Sequence, residues 1–304
     1  MLHIIRTAQE MQAHALRQRL AGKRLGFVPT MGCLHEGHLS LVRAARRDCD
    51  VVVVSIFVNP LQFGPREDLA GYPRTLADDL ARLLEVSADV VFAPAEGSLY
   101  PAGFATFVEV TGLTEGLCGA RRPGHFRGVA TVVCKLFNLV QPQRAYFGEK
   151  DYQQLQVIRR MVADLNLPLE VVGMPTLRQT DGLAMSSRNR YLSGAERQAA
   201  TALWRSLEAA RRAVAAGEHD ALAVRRRVTE TLRAEPLARL DYVEVCHPET
   251  LRPVAVLDGP TLIALAAYVG QARLIDNLVV CPASVDTPDA QGRTEAAASS
   301  SRQD

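Results

Sequence analysis

Short β-branched runs alternate with helix-length amphipathic stretches through the first half of this chain, and that alternation leaves few folds open. Val51–Val58 is almost uninterrupted in apolar residues, as expected of a strand buried on both faces. Further strands are predicted over Arg24–Val28, Asp89–Ala93, Ala145–Phe147 and Glu170–Val172. Between them, helices are predicted over Gly37–Arg47, Thr75–Val86, Val129–Val140 and Tyr152–Leu165. Connections of that length imply parallel βαβ units rather than hairpins. The expectation for residues 1–177 is therefore an α/β, Rossmann-like domain with a doubly wound parallel sheet. In such sheets ligands bind beyond the carboxyl ends of the strands.

From Arg178 the texture changes. Two Ala/Arg/Glu-rich helices, Gly194–Ala216 and Ala221–Ala234, precede three β-rich runs, Asp241–Cys246, Thr261–Tyr268 and Arg273–Val280. Helices followed by consecutive strands predict a second, smaller α+β domain over 178–282 with a partly antiparallel sheet. Residues 283–304 are rich in Ser, Ala, Asp and Gln without apolar periodicity, which predicts a disordered tail.

Charge and cysteine content narrow the function classes. Lys and Arg total 35 against 33 Asp and Glu, a net charge of +2. That balance gives no bulk field for nucleic acid or a membrane surface. The apolar runs fall well short of the roughly 20 residues that cross a bilayer. The first residues lack a charged-then-apolar export layout, and the 6 cysteines form no CxxC pair. Reduced thiols in the cytoplasm are expected. Lysine occurs only at Lys23, Lys135 and Lys150, so each surviving ammonium merits attention at a tight site.

Pro29–His38 reads Pro-Thr-Met-Gly-Cys-Leu-His-Glu-Gly-His, after a strand and opening a helix. Gly32 allows a tight turn, and Gly37 allows close backbone approach. His35 and His38, three residues apart, are expected on one face of the first turn. The free amides and dipole of a helix start favour an anion there. Two imidazoles beside them suit phosphate oxygens. Zinc is a poorer reading, since the spacing is not HExxH and no third ligand is evident.

His-x-Gly-His on a strand–turn–helix resembles the nucleotide-binding motif of the adenylyl-transferring α/β superfamily that includes class I aminoacyl-tRNA synthetases. Further segments narrow the resemblance: Phe57–Phe63, Tyr72–Thr75, Gly124–Gly128, Gly148–Gln154 and Asp181–Tyr191. With Pro29–His38 they resemble the pantothenate synthetases, in that family's order, over roughly residues 1–280. Cys33 stands where Ala or Asn would be expected, with its side chain expected to point away from the phosphates.

The resemblance implies an ATP-dependent condensation of (R)-pantoate with β-alanine through a pantoyl adenylate, releasing pyrophosphate and then AMP. It also implies a homodimer built through the first domain, and a second domain that closes over the site. ATP is assigned to Met31, Gly32, His35, His38, Gly148, Lys150, Asp151, Leu177, Met185, Ser186, Ser187 and Arg188. Pantoate is assigned to Met31, Asn59, Gln62 and Gln154.

Positive groups aimed at the leaving pyrophosphate are the expected source of catalysis. The candidates are His35, His38, Lys150 and Arg188. His38 is additionally expected to handle a proton through a near-neutral pKa. Asp151 is expected to cap the helix that follows it. Mg²⁺ should arrive with ATP, and of the adjacent Asp78 and Asp79 only one can face the site, the match favouring Asp78. Competing readings are another adenylyl-transferring enzyme, which would need a second phosphate patch, and an ATP sensor without turnover. A tRNA synthetase is disfavoured by the short chain and the absence of a basic appendage.

Overall fold

The computed structural model describes residues 2–65, 67 and 69–282; the predicted tail, 283–304, lies outside the described residues. The first part runs β1 (His3–Ile5), α1 (Ala8–Leu20), β2 (Leu25–Thr30), α2 (Glu36–Asp48), β3 (Val51–Ile56), α3 (Leu76–Glu85) and β4 (Val90–Phe92). It continues through α4 (Glu96–Leu99), α5 (Leu117–Arg121), α6 (His125–Val140), β5 (Arg144–Gly148), α7 (Tyr152–Asp164) and β6 (Glu170–Met174). Its strands form one six-stranded sheet ordered β1-β4-β3-β2-β5-β6, every pairing parallel.

Alternation along the central strands feeds two cores. Phe27 and Val53 face one side, with Val129, Phe137, Leu155 and Ile158 of α6 and α7. Val28, Val52 and Val54 face the other, with Leu39 and Val42 of α2 and Leu83 of α3. This is the doubly wound arrangement that uninterrupted apolar strands require. The chain builds outward from β2 through β3 to β4, then returns to place β5 on the other flank of β2. The topological switch point therefore lies between β2 and β5, and the crevice opens beyond their carboxyl ends.

The second part comprises α8 (Gly194–Ala199), α9 (Ala202–Ala215), α10 (Ala221–Arg233), β7 (Ala238–Cys246), β8 (Thr261–Val269) and β9 (Ala272–Val280). Its sheet, β7-β8-β9, is antiparallel. On β8, Ile263, Leu265, Ala267 and Val269 pack against α9 and α10, while Leu262, Ala264 and Ala266 join a core shared with the first domain. Burial of both faces locks the small sheet between its helices and the larger domain.

Several sequence expectations need correction. The predicted helix Gly194–Ala216 is two helices. Ser193 and Glu196 form a reciprocal cap on α8, and the backbone then tightens, with Thr201 N donating to Gln198 O and Leu203 N to Ala200 O. The Thr201 hydroxyl also donates to Gln198 O at 2.7 Å, the back-bonding that loosens a helix. Helix α6 begins at His125, earlier than periodicity indicated, because Gly124 takes a left-handed φ of 81° as its N-cap. Strand β1 and helix α1 were not foreseen. Only Met11, His14 and Ala15 of α1 are buried, too few for a visible apolar stripe.

Candidate active site

The turn after β2 is held from below by a single carboxylate. Asp79, on α3 and 1% exposed, accepts the amides of Cys33 (2.9 Å) and Leu34 (2.7 Å) and the Thr75 hydroxyl at 3.3 Å. Gly32 sits directly on it with φ +80°, and a Cβ there would lie 3.0 Å from Asp79 Oδ2. Asp79, rather than Asp78, is thus the inward member of the pair. Asp78 is exposed, since neighbours on a helix point about 100° apart, and neither acid lines a cleft wall. Cys33 is buried at φ 53°, and its thiol accepts from Arg190 Nη1 at 2.8 Å.

The two histidines cap the helix they open. His35 Nδ1 accepts the Gly37 amide (3.2 Å), and His38 Nδ1 accepts the His35 amide (3.3 Å), a reciprocal cap at the start of α2. Their rings stack with centroids 4.0 Å apart. Because each Nδ1 accepts, each neutral ring carries its proton on Nε2. Burial, reinforced by the Lys150 charge, pushes His35 down to about 4. Burial and then His35 hold His38 well below its usual value. The expectation of a near-neutral His38, and of two imidazolium charges, is therefore corrected. At pH 7 both rings are uncharged Nε2–H donors.

Across the crevice, β5 ends in a 3₁₀ turn, Glu149–Asp151, that carries Lys150. Lys150 Nζ lies 3.9 Å from Asp151 Oδ2. Asp151 does not cap α7 as predicted. The 3₁₀ turn runs straight into the helix, leaving Asp151 at φ −94°, ψ 58° instead of the extended conformation of a cap. The next wall is the link between the domains. Met185 N donates to Leu177 O (3.0 Å), and Ser186 Oγ accepts the Arg188 amide (3.3 Å). Ser187 hydrogen-bonds Tyr72, whose ring is buried.

The pocket floor is a network of amides. Asn59 Nδ2 donates to Gln62 Oε1 (3.0 Å) and Gly128 O (3.1 Å), while its Oδ1 accepts Tyr100 Oη (2.9 Å) and Leu61 N (3.4 Å). The Asn59 amide is 1% exposed and its hydrogen-bonding capacity is filled by protein partners. It supports Gln62 from within the cleft wall that both residues line. Gln62 Nε2 reaches Met31 Sδ at 3.1 Å. Gly128 lets α6 come this close, because a Cβ there would meet Leu61 O at 2.2 Å.

A second tie on Gln62 was not foreseen. His125 Nδ1 donates to the Gln62 carbonyl (2.8 Å), which leaves Nε2 to accept from Arg122 Nη1 (2.9 Å). Glu67 clamps Arg122 with two bonds of 2.7 Å. Burial and the Arg122 charge push His125 down to about 4, so this ring too is neutral. The Gly124–Gly128 segment was visible in the sequence, but nothing local indicates that its histidine reaches back to Gln62.

These walls enclose a cleft of about 240 Å³. Every residue singled out for ATP or pantoate lines it except Gly32, which supports the turn from behind. It merges through Arg122, His125, Lys150, Asp151, Gln154, Ser186 and Arg188 into an interdomain cleft of about 620 Å³.

The chain is similar to known proteins over nearly all its described length. The family model for pantoate-beta-alanine ligase matches residues 3–279. The pantothenate synthetase of Heliobacterium modesticaldum is 58% identical over 279 residues, 92% of this chain and 99% of the relative. That of Moorella thermoacetica is 53% identical with the same coverage. Among solved structures, the pantothenate synthetase of Thermus thermophilus superposes with TM-score 0.88 at 53% identity, covering 92% of this chain and 100% of that one. A pantoate-beta-alanine ligase from Francisella tularensis, solved with beta-gamma ATP and beta-alanine, gives TM-score 0.77 at 34% identity, covering 92% and 98%. With the motifs in register, the crevice at the switch point and similarity along both domains, the chain belongs to the pantoate-beta-alanine ligase family.

Proposed function

We propose a division of labour within the cleft for the reaction of this family, the ATP-dependent ligation of pantoate to β-alanine. The observation that carries it is the meeting of a phosphate-suited turn after β2 and a lysine turn after β5 in one cleft with two uncharged amides. His35 and His38 donate Nε2–H bonds to phosphate oxygens. Lys150 and Arg188 place charge where the leaving pyrophosphate becomes negative. Ser186 and Ser187 add hydroxyl donors. Gln62 and Gln154 hold the hydroxyls and carboxylate of pantoate without a salt bridge that would dull the nucleophile. Attack on the α-phosphorus gives pantoyl adenylate and pyrophosphate. The β-alanine amine then displaces AMP from the acyl carbon.

Mg²⁺ accompanies ATP in this reading. Among the described residues no group of three or more potential ligands forms a preset metal site; an ion arriving with ATP takes most of its ligands from phosphates and water. Asp151 is a carboxylate in the cleft that would meet such an ion. When bound, the ion neutralises phosphate charge. We further propose that the second domain closes over the substrates, and that two copies assemble through the first domain beside the exposed Phe107; sedimentation equilibrium tests the latter. The 6 free cysteines suit the reducing cytoplasm.

Isotope placement tests the chemistry. Pantoate labelled with ¹⁸O in its carboxylate is expected to leave label in AMP, and ATP is expected to exchange with labelled pyrophosphate when pantoate is present without β-alanine. Exchange that strictly required β-alanine, or label in pyrophosphate, would overturn the two-step assignment.

A further inference from the structure

Two adjacent residues of β9, far in sequence from every motif above, reach two walls of the cleft. Asn277 is 8% exposed. Its Nδ2 donates to the carbonyls of Glu149 and Lys150, both at 2.9 Å. A side-chain amide has two N–H donors, and here both are spent on the 3₁₀ turn that carries Lys150. Asp276, 2% exposed, forms a bidentate pair with Arg178 (2.7 and 2.9 Å) and accepts the Asn277 amide at 2.8 Å. Arg178 in turn donates to Gly182 O at 3.1 Å and lies 3.7 Å over the Trp204 ring. It opens the link that leads to Met185–Arg188.

We propose that Asn277 is a positioning residue for adenylation. It fixes the Lys150 turn from the second domain, while Asp276 fixes the base of the Ser186–Arg188 wall from the same point on the strand. The inference rests on the assignment of Lys150 to the leaving pyrophosphate. A lysine stem has several free torsions, so its ammonium is placed only as well as its backbone is placed. The turn has few anchors of its own, since neither end carries a side-chain cap. The Asn277 amide supplies two bonds to consecutive carbonyls, which fixes both the height and the tilt of the turn. Misplacement by about 1 Å at a reacting centre costs on the order of 100-fold.

The test separates adenylation from acyl transfer. Asn277→Ala is expected to lower pantoate-dependent ATP–pyrophosphate exchange by roughly 10- to 100-fold, and to leave transfer from preformed pantoyl adenylate to β-alanine within about 3-fold, since that step needs no charge on pyrophosphate. The effect should fall on kcat of exchange more than on KM. Combined with Lys150→Ala, the change should add less than about 3-fold, because both act through one ammonium. Asn277→Asp keeps side-chain volume but turns acceptors toward two carbonyls, and should lose at least as much exchange. Unchanged exchange in either variant, equal losses in both half-reactions, or a fully multiplicative double variant would overturn the proposal. Lys150→Ala with normal exchange would instead refute the assignment of Lys150 itself, and is read from that single variant.

Discussion

The two sides of the cleft are built by opposite means. The wall after β2 is assembled locally. His35 and His38 cap their own helix through bonds to each other's neighbourhood, and Asp79 holds the turn through two buried amides. Its donors are uncharged. The opposing wall carries the cations, Lys150 and Arg188, and is held by residues of the second domain far along the chain, Asn277 and the Asp276–Arg178 pair. Neutral donors in a burying turn cost little desolvation, so local bonds suffice. Charges placed against a polyanion need accurate location more than they need burial, and long-range tethers supply it.

The largest expected effect lies on the charged wall. Lys150→Ala should fold normally and lose at least ~100-fold in turnover, the scale for removing one transition-state charge donor. Near-normal turnover in the purified variant would erase the contrast between the walls. Next is the support of the neutral wall. Asp79→Ala leaves two buried amides without an acceptor, at about 1–3 kcal/mol each, and should lower the urea midpoint as well as activity. A variant that loses activity with no change in midpoint would place Asp79 in the chemistry.

A subtler break concerns the charge state of the histidines. His38→Gln retains an N–H near the Nε2 position, so it should outperform His38→Ala by roughly 10-fold, below the range for a positioned proton donor or acceptor. Equal losses would argue that an imidazolium is needed. The smallest effect is on stability against pH. His35 is held at about 4 in the folded chain, below the 6.5 of an exposed imidazole. The unfolded chain then binds the extra proton first as pH falls. Stability from this group is complete above pH 6.5 and drops between there and about 4, by no more than ~1.4 kcal/mol per pH unit. His38 and His125 are lowered in the same direction, so His35→Gln should reduce that slope without abolishing it in urea titrations at pH 7, 6 and 5; an unchanged slope would mean that His35 does not contribute to it.

Strands with uninterrupted β-branched runs, such as β3, were legible because burial on both faces demands that composition. Helix α1 was not, because its partner faces need only Met11, His14 and Ala15. Of the site, the His35–His38 turn was readable as a unit since its bonds close within three residues. The motif register placed Gln62 and Gln154, but not the amide network that orders Gln62. Which of Asp78 and Asp79 turns inward was not legible for a simple reason: helical phase is set by which face of α3 packs on β2 and β3, and adjacent acids carry no signal of it.

What the sequence determined by itself is the set of local rules: strand and helix alternation, the Gly-containing turn after β2, and a lysine at the end of β5. Each follows from backbone sterics or from burial within a few residues. The tertiary structure decided everything that depends on distance through space. It made the histidines neutral, because burial and the Lys150 charge are properties of the assembled cleft. It gave Asn59, in the cleft wall, a supporting part as well, by bonding its amide to Gln62, Gly128, Leu61 and Tyr100. It also tied the Lys150 turn to Asn277 across 127 residues of chain, a partnership with no periodicity to announce it, because the two carbonyls are satisfied by whichever strand the second domain brings against them.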